Sequence, residues 1–401
     1  MDENLATVGG SRIFSPFCSR CPMSVDAWVV MVLDRLRIQD FRNIEQTALD
    51  WCTGLNWVVG DNGQGKTNLL EAIGLLASGR SFRRAPAAVL RRHGQGGFYL
   101  HGEVTSGGLH HRLECTALDR HQSVRLNGKG VPSTSAMGQV LAAVVLTPDA
   151  PALIRGAPEE RRGYLDWILF CHERGYAGVV RDYQAALKAR NHLLRTQCQD
   201  GRQFEAWEAR LAVLGATITV QRRHMLWRMS ERLSPFLEAL ALDPQGYRWR
   251  MPGHPDPGPA PEAEGLDPVV AGYQAALERS RLADQRSGCT SVGPHRDDPL
   301  FWQDGRALAR FGSRGQQKRF LLALKLAEAD LLRERLGEAP VLLLDDPTTE
   351  LDRAGMVRLL DLLAASAHQL FVATCAEEAL VWPSSRPMQR VAVASGVFRV
   401  E

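Results

Sequence analysis

Gly60-Asp61-Asn62-Gly63-Gln64-Gly65-Lys66-Thr67 matches G-x-x-x-x-G-K-[ST] at every fixed position. Such spacing suits a polyphosphate. Glycines let backbone N–H groups turn inward around the phosphates, and a helix N-terminus just beyond adds positive potential. Lys66 is placed to reach the β- and γ-phosphates, and the Thr67 hydroxyl to ligate Mg²⁺. Lysine is scarce here: five residues (Lys66, Lys129, Lys188, Lys318, Lys325) stand against 43 arginines. Codon bias in a GC-rich genome accounts for the arginines and makes a lysine kept inside a motif informative. A pair of carboxylates lies far downstream, where Val341-Leu342-Leu343-Leu344-Asp345-Asp346 reads as a buried parallel strand ending in acid. Asp345 is expected to hold Mg²⁺ through water, and Asp346 to polarise an attacking water.

Two elements must position the first motif: the apolar strand Leu55–Val59 before it and the helical run Asn68–Ala77 after it. Short strand-like runs dominate up to about residue 147, among them Gly97–Val104, Leu109–Thr116 and Ser123–Leu126, the last closed by the turn pair Asn127–Gly128. From about 158 to 240 helical spacing takes over, with Tyr183, Leu187, Arg190 and Leu194 on one stripe and Leu211, Leu214, Ile218 and Met225 on another. Strand–helix alternation resumes near 289. The expected fold is therefore α/β, a discontinuous head over 31–150 and 289–401 with a helical second lobe inserted at 151–288. Within that lobe, 252–268 is a proline-rich loop. Residues 1–30 show little periodicity and read as a disordered or non-native leader, with Met31 or Met23 as the expected start.

With 45% hydrophobic and 23% charged residues, a sizeable core forms, which excludes a disordered or fibrous chain. No apolar run approaches the 18 or so residues of a membrane span, so no membrane partner is expected. The eight cysteines form no regular framework, and the one C-x-x-C, Cys18 and Cys21, has no second pair at zinc spacing. A reducing cytoplasm is the expected compartment. The net charge of +3 says nothing by itself about nucleic acid.

Between the two motifs stands Phe311-Gly312-Ser313-Arg314-Gly315-Gln316-Gln317-Lys318, followed by the amphipathic run Arg319–Arg335. A serine and a glycine opening a helix upstream of an apolar-acid strand resemble the signature motif of ABC-type P-loop ATPases. There the helix N-terminus caps the γ-phosphate of a nucleotide held by the other subunit. Glu350-Leu351-Asp352 resembles the D-loop that crosses the dimer interface. Further stretches are similar to the bacterial RecF family of DNA repair proteins: Arg35-Leu36-Arg37-Ile38-Gln39-Asp40-Phe41-Arg42-Asn43, Asn68-Leu69-Leu70-Glu71-Ala72-Ile73, Gly79-Arg80-Ser81-Phe82-Arg83, Pro158 to Asp166, Lys188 to Leu194, and Ser291-Val292-Gly293-Pro294-His295-Arg296-Asp297-Asp298. The match is collinear over about 31–401. The leader, the proline-rich loop and Pro347-Thr348-Thr349 depart from it without removing a group that the nucleotide needs.

The resemblance implies an ABC-type head with ATP and Mg²⁺ as cofactors, ATP-driven homodimerisation and a slow, DNA-stimulated ATPase. It also implies action at single-stranded, gapped or junction DNA with RecR and RecO, helping RecA load and supporting replication and the SOS response. Other classes share some of these motifs. An ABC transporter subunit usually carries a histidine at the end of the strand after the D-loop, where Leu370-Phe371-Val372-Ala373-Thr374-Cys375 offers Thr374. A chromosome-structure (SMC) head needs hundreds of heptad residues between its halves, which this insertion lacks. A binding module without turnover is the remaining alternative, because Asp346 is shorter than the usual glutamate. For DNA, Arg80, Arg83 and Arg84 after the phosphate-loop helix, with Arg91 and Arg92, and Arg161 and Arg162 opening the helical lobe are the candidate phosphate contacts. His295 stands open between a buried structural imidazole and a nucleotide-side contact.

Overall fold

The computed structural model describes residues 30–118, 121–131, 135–147, 151–198, 200–254, 265–347, 351, 353–375, 382–383 and 385–401. The expected leader, apart from Val30, and residues 255–264 of the proline-rich loop lie outside them. In chain order the N-terminal part holds β1 (Val32–Phe41), β2 (Ile44–Asp50), β3 (Leu55–Val59), α1 (Lys66–Ser78), α2 (Ala87–Leu90), β4 (Gly97–Ser106), β5 (Leu109–Leu118), β6 (His121–Leu126), β7 (Lys129–Gly130), α3 (Ser135–Gly138) and β8 (Ala143–Leu146). Then follow α4 (Pro151–Arg155), α5 (Pro158–His172), α6 (Tyr176–Arg195), α7 (Gly201–Ala239), β9 (Tyr247–Arg250) and α8 (Leu266–Ser287). The C-terminal part holds β10 (Leu300–Gln303), β11 (Arg306–Ala307), α9 (Leu308–Phe311), α10 (Arg314–Leu336), β12 (Val341–Asp345), α11 (Arg353–Ala364), β13 (Leu370–Thr374), β14 (Met388–Ala394) and β15 (Val397–Val400).

Two sheets make the head. One is antiparallel in the order β2-β1-β4-β5-β6-β7; the other, β15-β14-β3-β13-β12-β8, is parallel except for the β14–β15 pair. Every residue of β3, β12 and β13 is buried, as parallel strands covered on both faces require. Along β4 buried and half-buried residues alternate, the mark of a sheet with one face inward. The phosphate-loop helix α1 is the filling between the sheets. Its Leu69, Leu70 and Ile73 join a core with Leu36 and Leu100 of the antiparallel sheet and Leu343 and Phe371 of the parallel one. Leu342 and Leu344, the neighbours of Leu343 on β12, belong to the core on the opposite face, with α5, α6, α7 and α10. The two-residue period of a strand thus assigns alternate leucines to two different cores. A small sheet, β11-β10-β9, ties the helical segment to the C-terminal part through the β9–β10 pair. The turn pair Asn127–Gly128 has positive φ at both residues, 51° and 78°, the geometry that joins β6 to β7 in a tight hairpin.

The helical stripe read from 3–4 spacing contains an inward charge. Arg190 is fully buried, donating to Asp284 at 2.8 Å, Thr290 at 2.9 Å and Glu208 at 2.9 Å. A cation survives there only because every neighbour that faces it accepts a hydrogen bond. Arg222 on α7 does similar work, bonding both oxygens of Asp166 at 2.9 Å and the Pro294 carbonyl at 2.7 Å. His295 is a structural imidazole. Its Nε2 faces the Thr290 carbonyl at 3.1 Å, and a carbonyl can only accept, so Nε2 carries the proton. Nδ1 is then the acceptor for the Tyr183 hydroxyl at 2.7 Å. Gly293 lies beside this pair with φ 134°, where a Cβ would sit 2.3 Å from the Tyr183 oxygen.

Burial holds several imidazoles neutral. His368, bonded through Nδ1 to the Pro340 carbonyl at 2.7 Å, and His172 are both pushed down to about 4, and His295 is lowered in the same direction. The unfolded chain takes up these protons near pH 6.5, whereas the folded chain refuses them until lower pH. Stability is therefore whole above about pH 6.5 and is lost as the pH falls toward about 4. Thermal unfolding should show a falling midpoint between pH 7 and 5.5, with each such histidine worth about 1 kcal/mol at the acid end. His368→Asn, which keeps a donor for Pro340, should flatten that slope; an unchanged slope would show that His368 contributes nothing to it.

Candidate nucleotide site

The phosphate loop is the connection from β3 to α1, and it is strapped from outside. Gly396 N–H donates to the Gln64 carbonyl at 2.8 Å and Ser395 N–H to Gln64 Oε1 at 2.5 Å. Asn43, in the β1–β2 turn, donates to the same carbonyl at 3.0 Å and accepts from Asn68 on α1 at 2.8 Å. Gly65 has φ 121°, and a Cβ there would lie 2.9 Å from the Asn43 amide oxygen, so the motif glycine is required twice over. Gln64 is thus a fastening point of the loop.

Lys66 is only 6% exposed. Its ammonium folds over the loop, donating to the carbonyls of Gly60 at 2.5 Å and Asp61 at 2.9 Å, and it lies 3.3 Å from Cys375 Sγ. Thr67 donates to Asp345 Oδ1 at 2.9 Å, so the two expected metal-side residues meet. Burial pushes the Asp345 carboxyl up from the usual carboxylate range and the neighbouring Asp346 adds to this, while the Thr67 hydrogen bond and the charges of Arg83 and Lys66 pull it down. A buried carboxylate under such strain gains from a nearby cation. Asp346 takes φ 49°, with its N–H on the Ala373 carbonyl, turning the chain at the end of β12. Lys66, Thr67, Asp345 and Asp346 line one cavity of about 440 Å³ with Asn62, Gly63 and Gly65 of the loop.

Phe82, Arg83, Thr147 and Cys375 line this cavity from outside the nucleotide motifs, and Arg83 and Cys375 bring ionisable groups to it. Arg83, expected on the DNA face, lines it, held by Asn68 at 3.2 Å and by Glu71 at 3.7 Å. Cys375 lines it as well, whereas Thr374, the polar group expected at that strand end, is fully buried and accepts from Trp57 Nε1 at 2.9 Å. The sequence carries a signal for Cys375: side chains alternate along a strand, so an inward Thr374 implies an outward neighbour.

None of the described residues lining the cavity comes from the signature segment. Ser313 caps α10 in a reciprocal arrangement, its hydroxyl accepting from Gln316 N–H at 3.2 Å and Gln316 Oε1 accepting from Ser313 N–H at 2.8 Å. Ser313, Arg314 and Gly315 are exposed and Gln316 half-buried. Gln317 is a correction: it is buried, donating to the Leu308 and Gly312 carbonyls at 2.9 Å and accepting from Arg155 at 2.7 Å, and so holds the loop before the helix. Leu351 packs against the core on the helical side, and Glu350 and Asp352 lie outside the described residues.

The basic candidates separate. Arg80 is exposed. Arg84 is exposed too but bidentate to Glu160 on α5, at 2.7 and 2.6 Å. Arg161 is 5% exposed and spends its guanidinium on Asp298 at 2.6 and 3.0 Å and on the Ile154 and Gly156 carbonyls. Arg162 donates to the Asp297 carbonyl and Glu159. The free basic pair expected at the start of the helical lobe is therefore an internal brace. Arg92 pairs with Glu45 and Asp40, and Arg91 sits half-buried beside it.

Comparison with known proteins bears on the same residues. The family model "RecF/RecN/SMC N terminal domain" matches residues 32–381, from β1 past the acidic strand. A DNA replication and repair protein RecF from Magnetococcus marinus is 47% identical over 92% of this chain and 97% of its own length. Its counterpart in Geobacter sulfurreducens is 34% identical over 86% and 93%. A solved recombination mediator protein RecF-ATP of the RecFOR pathway superposes with a TM-score of 0.80 at 27% identity, covering 93% of this chain and all of that one. An Smc head bound to the C-winged helix domain of ScpA, at 16% identity and TM-score 0.52, shares the fold alone. Full-length similarity at this level, over the stretch that joins the phosphate loop to its carboxylates, makes this chain a member of the RecF family of DNA replication and repair proteins.

Proposed function

We propose that the chain is an ATP-dependent DNA-binding protein of recombinational gap repair, a nucleotide switch with slow, DNA-stimulated hydrolysis. The bond from Thr67 to Asp345 carries this reading, because it joins residues 278 positions apart at the mouth of a phosphate loop. The backbone N–H groups of 60–65 and the Lys66 ammonium hold the β- and γ-phosphates of ATP. Thr67 directly, and Asp345 through water, would hold Mg²⁺; a hydroxyl beside a buried carboxylate is a donor set that fits this ion. When bound, the ion neutralises phosphate charge. Asp346 orients the attacking water by accepting its proton. Arg83 adds a cation to the cavity wall. A relative solved as RecF-ATP supports the nucleotide assignment.

In this reading the head comprises 31–150 and 289–401, and the helical lobe 151–288. The exposed Ser313, Arg314 and Gly315, with the N–H of Gln316, meet the nucleotide of a second copy, and Glu350-Leu351-Asp352 crosses the same interface. The dimer acts in the cytoplasm on single-stranded, gapped or junction DNA together with RecR and RecO, and indirectly with RecA. Among the described residues no helix is long and apolar enough to cross a membrane.

Lys66→Met should abolish ATP binding, and Asp346→Asn should keep binding while slowing hydrolysis by about 10²-fold. Equal turnover in wild type and Asp346→Asn would remove Asp346 from its role. Ser313→Arg should bind ATP as a monomer yet fail to dimerise, losing nearly all hydrolysis. Sedimentation with ATP and Mg²⁺ decides the point, and a Ser313→Arg protein that dimerises like wild type would sink the shared-site arrangement. On DNA, affinity should fall steeply with salt and vary little with base sequence. Replacing Arg80 and Arg84 with alanine should weaken it equally for unrelated sequences and lower the salt slope by about one for each phosphate no longer neutralised; unchanged binding would move the DNA surface to another face.

A further inference from the structure

The end of β13 sends its last polar groups to opposite sides. Thr374 goes inward to Trp57, and Cys375 faces the nucleotide cavity. Among the described cysteines it alone lines that cavity. Its sulfur lies 2.8 Å from Asn62 Oδ1, 3.3 Å from Lys66 Nζ and 3.5 Å from Asp346 Oδ2. Asn62 Oδ1 and Asp346 Oδ2 both only accept, so the one S–H proton is directed to this side, closest to Asn62, and the sulfur lone pairs are left for the ammonium. Three groups with distinct tasks, a loop amide, the phosphate-binding cation and the water-orienting carboxylate, thus converge on one thiol. Lys66, nearly buried and with its ammonium 3.3 Å from the sulfur, lines the same cavity as Cys375 and Asp346, so a ligand that enters it meets all three groups together.

We propose that Cys375 is a positioning residue of the nucleotide site: it holds Asn62 and Lys66 in line with Asp346 and stands at the γ-phosphate end, so that a nucleotide and a thiol-directed reagent exclude one another. The proposal rests on reading the cavity as an ATP site. The reciprocal exclusion follows from space, because any group bonded to the sulfur occupies the point on which Lys66 and Asp346 converge.

N-ethylmaleimide tests this directly. The thiol adds across the maleimide double bond, forming one S–C bond while its proton passes to the neighbouring ring carbon. Modification rates at each cysteine are read by peptide mass spectrometry, with ATP binding followed separately by a fluorescent ATP analogue. ATP with Mg²⁺ should slow modification of Cys375 by about tenfold or more while leaving Cys198 and Cys289 unaffected, and Lys66→Met should abolish that protection. In steady-state kinetics, Cys375→Ala should lower kcat about tenfold with KM changed less than about twofold, and Cys375→Ser, whose hydroxyl also donates to Asn62, should restore most of it. Bound ATP with an unprotected Cys375, or an alanine variant with wild-type kcat, would overturn the proposal alone. A wild-type protein that binds no ATP would overturn the nucleotide reading and the proposal with it.

Discussion

A carboxylate with no access to water governs the geometry of the head. Glu71, in the middle of α1, is fully buried and accepts from Arg42 through Nε at 2.9 Å and Nη2 at 2.8 Å, and from the Ser81 hydroxyl at 2.5 Å. Such a charge is tolerated only when its partners are in place. The β1–β2 turn must therefore deliver Arg42, at φ 55°, and the loop after the helix must double back to deliver Ser81. The same loop brings Arg83 to the cavity wall. Satisfying this one side chain ties the β1–β2 turn, α1 and the loop after it into a single unit.

The two sheets then have complementary tasks. The parallel sheet sets β3, β12 and β13 side by side, so that the phosphate loop emerges at the same end as Asp345 and Cys375 although Thr67 and Asp345 are 278 positions apart. The antiparallel sheet covers the other side of α1 and supplies the turn that carries Asn43 and Arg42. Each layer supplies part of the strapping of the loop at Gln64, Asn43 from the antiparallel side and Ser395 with Gly396 from the parallel side.

Elements with a strong local signal are legible in the amino-acid sequence alone. The strand Leu55–Val59 has the boundaries expected from its apolar run, and β12 follows its run to Asp345. The helix at the signature segment starts where the serine and glycine are expected to open it, at Arg314 with Ser313 as its cap, ahead of the amphipathic stripe. The state of the charges is not legible in this way. Arg161 looks in sequence like a surface arginine and Arg190 like an intruder on an apolar stripe, but their partners Asp298 and Asp284 are 137 and 94 positions away and only the fold brings them together. The place of Arg83 on the cavity wall is hidden for the same reason: its direction depends on Glu71, Asn68 and a doubled-back loop. His295 belongs to a recognisable motif, yet its role follows from the Tyr183 hydroxyl and the Thr290 carbonyl, which neither spacing nor composition reveals.

The cap at the start of α10 has an effect on the readiness of that helix end for contact. The Ser313 oxygen takes the Gln316 N–H and Gln316 Oε1 takes the Ser313 N–H, so each side chain is held by the other residue's backbone. Side chains fastened in this way are ordered before any encounter, so a contact made at this helix end costs little further side-chain ordering.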